Sequence, residues 1–213
     1  MVSLRITEIF YSLQGESNTV GLPTVFIRLT GCPLRCVYCD TAYAFSGGKK
    51  MAINAILTEV KQYETSYVTV TGGEPLAQPA CQELLTQLVD AGYSVSLETS
   101  GALDVSGVDS RVVKVMDLKT PSSGEIEKNH YQNIDYLAEK DQVKFVIGTE
   151  DDYEWSKAML FQYALPSRCS VLFSPVMDQQ NPTALADKIL KDRLPVRFQI
   201  QLHKILWQDA RGK

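Results

Sequence analysis

Cys32, Cys36 and Cys39 stand in the stretch Thr30-Gly-Cys-Pro-Leu-Arg-Cys-Val-Tyr-Cys-Asp-Thr41, a CxxxCxxC triplet directly after an apolar, strand-like run. Three thiolates in one short loop suit an iron–sulfur cluster that keeps one iron unclaimed by protein, because cubane clusters are normally held by four cysteines. The open iron is then available to a small molecule that can be attacked or reduced there. Structural zinc also draws cysteines at such spacings, but it closes tetrahedrally with four ligands, usually as two paired clusters. No second pair exists: Cys81 and Cys169 are isolated, and the histidines, His130 and His203, are each alone. A zinc site would therefore need a distant fourth ligand. Five cysteines, with no N-terminal apolar segment or cleavage signal, point to a reducing, cytoplasmic setting with thiols free to bind metal.

The elements that must hold this loop are legible as periodicities. Apolar, β-branched segments run over Ile6–Tyr11, Thr24–Leu29, Tyr67–Val70, Ser94–Glu98, Val112–Asp117, Gln142–Ile147, Val171–Phe173 and Val196–Gln201. Amphipathic helical patterns lie at Ala52–Tyr63, Ala80–Ala91, Asp151–Tyr163 and Thr183–Asp192. Strands alternating with helices are βα units, which require a mostly parallel sheet because parallel neighbours need crossover connections. Pro, Ser, Gly and Glu break the pattern between Thr120 and Asn133, so one crossover there reads as a loop. The helical crossovers are too few for a complete eightfold barrel, and an incomplete, curved α/β barrel is expected.

At 213 residues the chain can bury one substantial core, and nothing resembling a linker divides it, so one domain over residues 1–213 is expected. No apolar run reaches a membrane span and no repeat is present, so a soluble protein without a membrane partner is expected. A net charge of −4 without clustered Lys and Arg argues against nucleic acid.

In such sheets the ligand site forms at the C-terminal ends of the strands. The cysteine loop, Thr71-Gly-Gly-Glu-Pro75, Glu98-Thr-Ser-Gly101, Asp117-Leu-Lys119 and Ser174-Pro175 all occupy such ends. Gly72-Gly73 can bring backbone close to a charged amino or carboxylate group, although a Gly-Gly pair alone also makes a plain tight turn. Arg28 lies on a strand among apolar neighbours, where a charge is costly unless paired. It suits either a carboxylate clamp or a structural ion pair.

CxxxCxxC with Tyr38 before the third cysteine, followed by Gly-Gly-Glu-Pro, resembles the radical S-adenosylmethionine (SAM) superfamily. Reading outward, Ile9-Phe-Tyr-Ser-Leu-Gln-Gly-Glu16, Phe26-Ile-Arg-Leu-Thr-Gly-Cys-Pro33, Cys36-Val-Tyr-Cys-Asp-Thr41, Leu97-Glu-Thr-Ser-Gly101 and Gln201-Leu-His-Lys204 resemble the 7-carboxy-7-deazaguanine synthase family. These motifs span nearly the whole chain.

The resemblance implies a partial (βα)6 barrel carrying a [4Fe-4S] cluster on Cys32, Cys36 and Cys39. It implies SAM chelating the open iron, with Gly73 at its methionine moiety and Tyr38, Cys39 and Asp40 over its adenine. Glu98, Ser100, Asp117, Leu118, Lys119 and Ser174 are the implied ribose and carboxylate contacts, though Glu98 also suits a partnered strand-end acid and Lys119 a solvated loop cation. The implied substrate is 6-carboxy-5,6,7,8-tetrahydropterin, which wants bidentate amide and carboxylate partners and a cation for its acid group. Leu13, Gln14, Gly15, Glu16, Arg28, Thr71 and His203 match the family's substrate positions, His203 largely through the His-Lys match. Thr41 is the implied Mg2+ ligand, plausible because magnesium takes few protein oxygens; by itself it reads as a loop cap.

The implied reaction is hydrogen abstraction at C6, contraction of the pyrazine ring, return of the hydrogen to regenerate SAM, and loss of ammonia: a lyase that uses SAM catalytically. An external flavodoxin-like or ferredoxin-like electron donor and a homodimer, which would protect a sheet edge, are also implied. The chain departs from the family at Ser17, where Gly is common, at Leu202, where Thr is usual, and in running on from Ile205 to Lys213. That run puts the family's terminal-carboxylate contact with substrate in question. A glycyl-radical-activating enzyme shares the cluster but should lack Leu-Gln-Gly-Glu and the late His-Lys; a zinc-stabilised binding module would lack the cluster.

Overall fold

In a computed structural model, which describes residues 2–208 and 210–213, the chain begins with β1 (Ser3–Leu13), β2 (Pro23–Leu29), β3 (Lys49–Ala52), α1 (Ile53–Lys61), β4 (Tyr67–Gly72), α2 (Cys81–Asp90) and β5 (Ser94–Thr99). It continues through β6 (Val113–Asp117), β7 (Gln142–Ile147), α3 (Glu150–Gln162), β8 (Ser170–Pro175), α4 (Pro182–Asp192), β9 (Arg197–Phe198) and α5 (Leu202–Trp207). The strands form one sheet in the order β3-β1-β2-β4-β5-β6-β7-β8-β9. Every neighbouring pair from β2 to β9 is parallel, and β1 is antiparallel to β2 and β3.

The helices form where apolar side chains recur every three or four residues. In α2, Cys81, Leu84, Leu85 and Leu88 are all buried, an apolar stripe at i, i+3, i+4 and i+7; each such leucine contributes about 1.5–3 kcal/mol by leaving water. They join Val25, Ile27, Val68, Val70 and Leu97 in one apolar cluster. A second cluster gathers Val143, Phe145, Phe173, Tyr153, Leu160 and Leu185 under α3 and α4. At the start of α3, Thr149 and Asp152 form a capping box, which satisfies two otherwise unpaired backbone donors.

The expected helices appear within two residues of their sequence limits, and the crossover from β6 to β7 contains only 3-10 turns at Pro121–Ser123, Ile126–Lys128 and Tyr131–Tyr136. Three features differ from expectation. The strand expected over Val196–Gln201 is confined to Arg197–Phe198, because Gln199 turns its amide onto the backbone of Ser17. The chain then enters α5, where the Leu202 N–H donates to the Gly15 carbonyl. The short strand β3 carries the exposed charges Lys49 and Lys50, which an edge position tolerates.

The connection after β1 reveals the curvature. Ser17 lies four residues beyond Leu13, a reach of at most about 14 Å, yet it bonds Gln199 just past β9. On a flat sheet β1 and β9, seven positions apart, would be separated by roughly 33 Å. The sheet therefore curls around this loop without β9 pairing with β3.

Candidate active site

The three cysteines of the loop after β2 line a cleft of about 300 Å³. Its walls come from strand ends: Thr71–Gly73 at the end of β4, Glu98–Ser100 at β5, Asp117 and Lys119 at β6, Lys144 and Val146 on β7, and Val176, Met177 and Gln179 after β8. The glycine turn is fixed by close approach. A Cβ at Gly73 would lie 2.3 Å from the Gly31 carbonyl oxygen and 2.6 Å from Cys32 Cβ, so only glycine lets the turn meet the cysteine loop. Glu74 is a strut: fully buried, it accepts from the backbone N–H of Leu76 and Ser100 and from the Thr99 and Ser100 hydroxyls.

Cys32, Cys36 and Cys39 are free and partly exposed. Burial pushes the Cys32 and Cys36 thiols up, against the Leu34 N–H at Cys32 and the Lys119 ammonium at both. Among the described residues no three His, Cys, Asp or Glu side chains converge as a single-ion site. Thiols that share a cleft without converging suit a cluster whose irons each take one thiolate better than a zinc ion with all donors about 2.3 Å away. Thr41 offers one hydroxyl, which donates to Asp40 Oδ1 at 2.8 Å.

A second cleft of about 150 Å³ adjoins the first and shares Asp40, Thr41, Thr71, Gly72, Glu98, Lys144 and Gln201 with it. Leu13, Gln14, Gly15, Glu16, Arg28 and His203 line it, beside the stacked rings of Phe10 and Phe26. Gln14 is buried and donates to Thr69 and Glu98, while Thr71 donates to the other Glu98 oxygen. A Cβ on Gly15 would collide with the His203 ring, so that glycine lets α5 close against the loop. Arg28 pairs through Nε with Glu8 at 2.8 Å, and the same Glu8 oxygen accepts from the Tyr43 hydroxyl. Among the described residues the Nη end of Arg28 has no hydrogen-bond partner, so a structural ion pair and an available fork coexist in one side chain.

The charges where the clefts meet are paired in a chain. Lys144 Nζ lies 2.7 Å from Glu16 Oε2 and 3.5 Å from Asp117 Oδ2, and Lys119 Nζ lies 3.1 Å from that same Asp117 oxygen. Burial pulls both lysines toward neutrality, but Glu16, Asp117 and Glu98 around Lys144, and Asp117 with Cys36 and Tyr38 around Lys119, outweigh it and hold both above the ordinary lysine value. Burial, reinforced by Glu16, raises the Glu98 carboxyl against the lowering pull of Lys144, Thr71 and Arg28. Burial also lifts the Tyr38 phenol to about 12. Among the described residues, Glu16 Oε1 and Asp117 Oδ1 are buried with no hydrogen-bond partner.

Of the residues singled out in the sequence, two lie on neither cleft wall: the Leu118 side chain belongs to the second apolar cluster, and Ser174 is buried within β8. Sequence reasoning missed Lys144 and Glu8, and it read Gln201 and Lys204 only as part of a motif, without a role at the site. Lys144 carried a signal, since it stands in the apolar strand Gln-Val-Lys-Phe-Val-Ile147, the same circumstance that marks Arg28. Lys204 lies 3.3 Å from Asp40, tying α5 to the cysteine loop. The run beyond Ile205 brings Lys213 onto the second cleft, and Arg211 stacks on Tyr43.

Residues 26–118 match the radical SAM superfamily model. The chain is 46% identical over 98% of its length to 97% of the 7-carboxy-7-deazaguanine synthase of Chlorobaculum tepidum. It is 41% identical over 96% of its length to 97% of the Koribacter versatilis protein of the same name. The crystal structure of QueE from Escherichia coli is similar in fold, with a TM-score of 0.78 at 23% identity over 94% of this chain and 95% of that one.

Proposed function

Because the chain belongs to the 7-carboxy-7-deazaguanine synthase family of radical SAM enzymes, we propose that it contracts 6-carboxy-5,6,7,8-tetrahydropterin to 7-carboxy-7-deazaguanine with loss of ammonia. It acts as a carbon–nitrogen lyase in queuosine and deazapurine biosynthesis. The supporting observation is the pair of adjoining clefts, with the cysteine triplet at one end, Gln14, Glu16, Arg28 and His203 at the other, and Thr71 and Glu98 on both.

Once bound, the cluster and SAM would supply the one-electron chemistry needed to abstract a hydrogen from the substrate. Cys32, Cys36 and Cys39 hold the cluster. Gly73, Ser100, Asp117 and Lys119 position SAM, with Tyr38, Cys39 and Asp40 along its adenine; Leu118 and Ser174, both buried, flank these positions, Leu118 in sequence and Ser174 beside the cleft residues that follow β8. In the adjoining cleft the Nη fork of Arg28, steadied by Glu8, receives the pterin carboxylate. Glu16 Oε1 accepts a ring amine, Leu13, Gly15 and Thr71 fix the heterocycle, and His203 closes over it. Thr41 would offer its hydroxyl oxygen to Mg2+, which would supply positive charge for the substrate carboxylate. Glu98, bonded by both Gln14 and Thr71, joins the two sites. The protein works as a cytoplasmic homodimer in a single domain over residues 1–213, with a flavodoxin-like or ferredoxin-like donor reducing the cluster.

Arg28→Ala separates these roles. The expected outcome is a rise of at least about tenfold in KM for the pterin, the scale of one lost charge-assisted hydrogen bond, with iron content and 5′-deoxyadenosine release retained. Loss of iron with unchanged KM would instead make Arg28 a structural partner of Glu8.

A further inference from the structure

Lys144 is the one lysine of β7, and it lines both clefts. Its ammonium meets one oxygen of Glu16, on the loop after β1, and one oxygen of Asp117, at the end of β6. The remaining oxygen of each carboxylate is buried and, among the described residues, unpartnered. A buried carboxylate oxygen without a donor costs free energy unless a ligand satisfies it, and here both such oxygens belong to acids that share one cation. Asp117 has Lys119 as a second partner, 3.1 Å away. Glu16 has no other ion pair among the described residues, so its orientation depends on Lys144.

We propose that Lys144 is a positioning residue: it fixes the Glu16 carboxylate through Oε2 so that Oε1 faces the second cleft as an acceptor for an N–H edge of the heterocycle, while linking that acid to Asp117 in the first. The dependence is unequal. Removing the ammonium frees Glu16 but leaves Asp117 held by Lys119, so substrate recognition suffers and SAM recognition is largely spared. This deepens the reading under Proposed function and rests on it for the identity of the substrate.

The test uses the cluster-loaded enzyme as wild type, Lys144→Met, Lys144→Arg, Glu16→Gln and the double variant Lys144→Met/Glu16→Gln. Lys144→Met is expected to raise KM for 6-carboxytetrahydropterin at least tenfold and to change the SAM dissociation constant, measured by equilibrium dialysis, by less than threefold. Lys144→Arg should recover most of the lost affinity, because it keeps the cation. Adding Lys144→Met to Glu16→Gln should leave KM where Glu16→Gln alone puts it. An unchanged KM in Lys144→Met, full multiplication of the two effects, or an equal loss of SAM binding would overturn the proposal.

Denaturant unfolding of the same proteins without substrate reads the pair directly: the two substitutions should couple by at least fivefold in the folding equilibrium, and additivity contradicts the assignment. That arm decides the role of Lys144 even if the wild-type enzyme cleaves SAM without consuming the pterin, a result that counts against the proposed substrate alone. Should Lys144→Met not fold, Lys144→Gln takes its place in both arms.

Discussion

A methyl group at Gly73 has nowhere to go between the Gly31 carbonyl and Cys32 Cβ, so the glycine turn sets the position of the first cysteine of the triplet. Gly73→Ala is therefore expected to lower the iron and acid-labile sulfide bound per chain while circular dichroism stays near wild type; full iron content would show that the cysteine loop yields instead. Ser17 records the opposite compromise, a serine held at φ 68°, where a side chain costs roughly 1–2 kcal/mol. Its hydroxyl recovers part of that cost by bonding Thr19. Ser17→Ala keeps the strain and loses the bonds, whereas Ser17→Gly relieves it, so the glycine variant should be the more stable of the two by about 1 kcal/mol in urea unfolding. Arg28 could be singled out from sequence because a charge among apolar strand residues demands a partner. Lys144 obeys the same rule, but its Glu16 partner lies 128 residues away, and no local pattern announces a contact at that separation.

At the scale of elements, the joint between β6 and β7 rests on Asp141. Its side chain is fully buried and accepts from the Lys114 and Ala138 N–H groups and from the ammonium groups of Lys114 and Lys140. Asp141→Ala leaves Lys114 buried and unpaired, so a loss of about 3–5 kcal/mol is expected. Burial would raise the Asp141 carboxyl, but these donors outweigh it and hold it below 3.8. Because the folded value lies below the unfolded one, the contribution is complete above about pH 4 and disappears as pH falls through the folded value. The stability gap between wild type and Asp141→Asn should accordingly narrow in acid, and a gap that widened there would contradict the assignment. The βα units were legible because helix and strand periods differ. The end of the last strand was not, since a glutamine side chain bonding Ser17, distant in sequence, decides where the ladder stops.

At the scale of the molecule, the curl of the sheet is what makes two clefts into one site. The loop after β1 touches β4 through Thr69, β5 through Glu98 and β7 through Gln142, and the same loop carries Glu16 to Lys144. Strand-end motifs indicated that five edges converge, yet the crossing of the curl by Gln14–Asn18 depends on closure distances that only the folded chain contains. The proposed radical chemistry and pterin recognition would then occur in adjoining clefts that share Thr71, Gly72 and Glu98. The most direct measurement is anaerobic incubation of the cluster-loaded protein with SAM, reductant, Mg2+ and 6-carboxytetrahydropterin, followed by mass spectrometry. The expected result is a product lighter than the substrate by one ammonia, formed over many turnovers while SAM is retained. Steady release of 5′-deoxyadenosine with the pterin mass unchanged would contradict it.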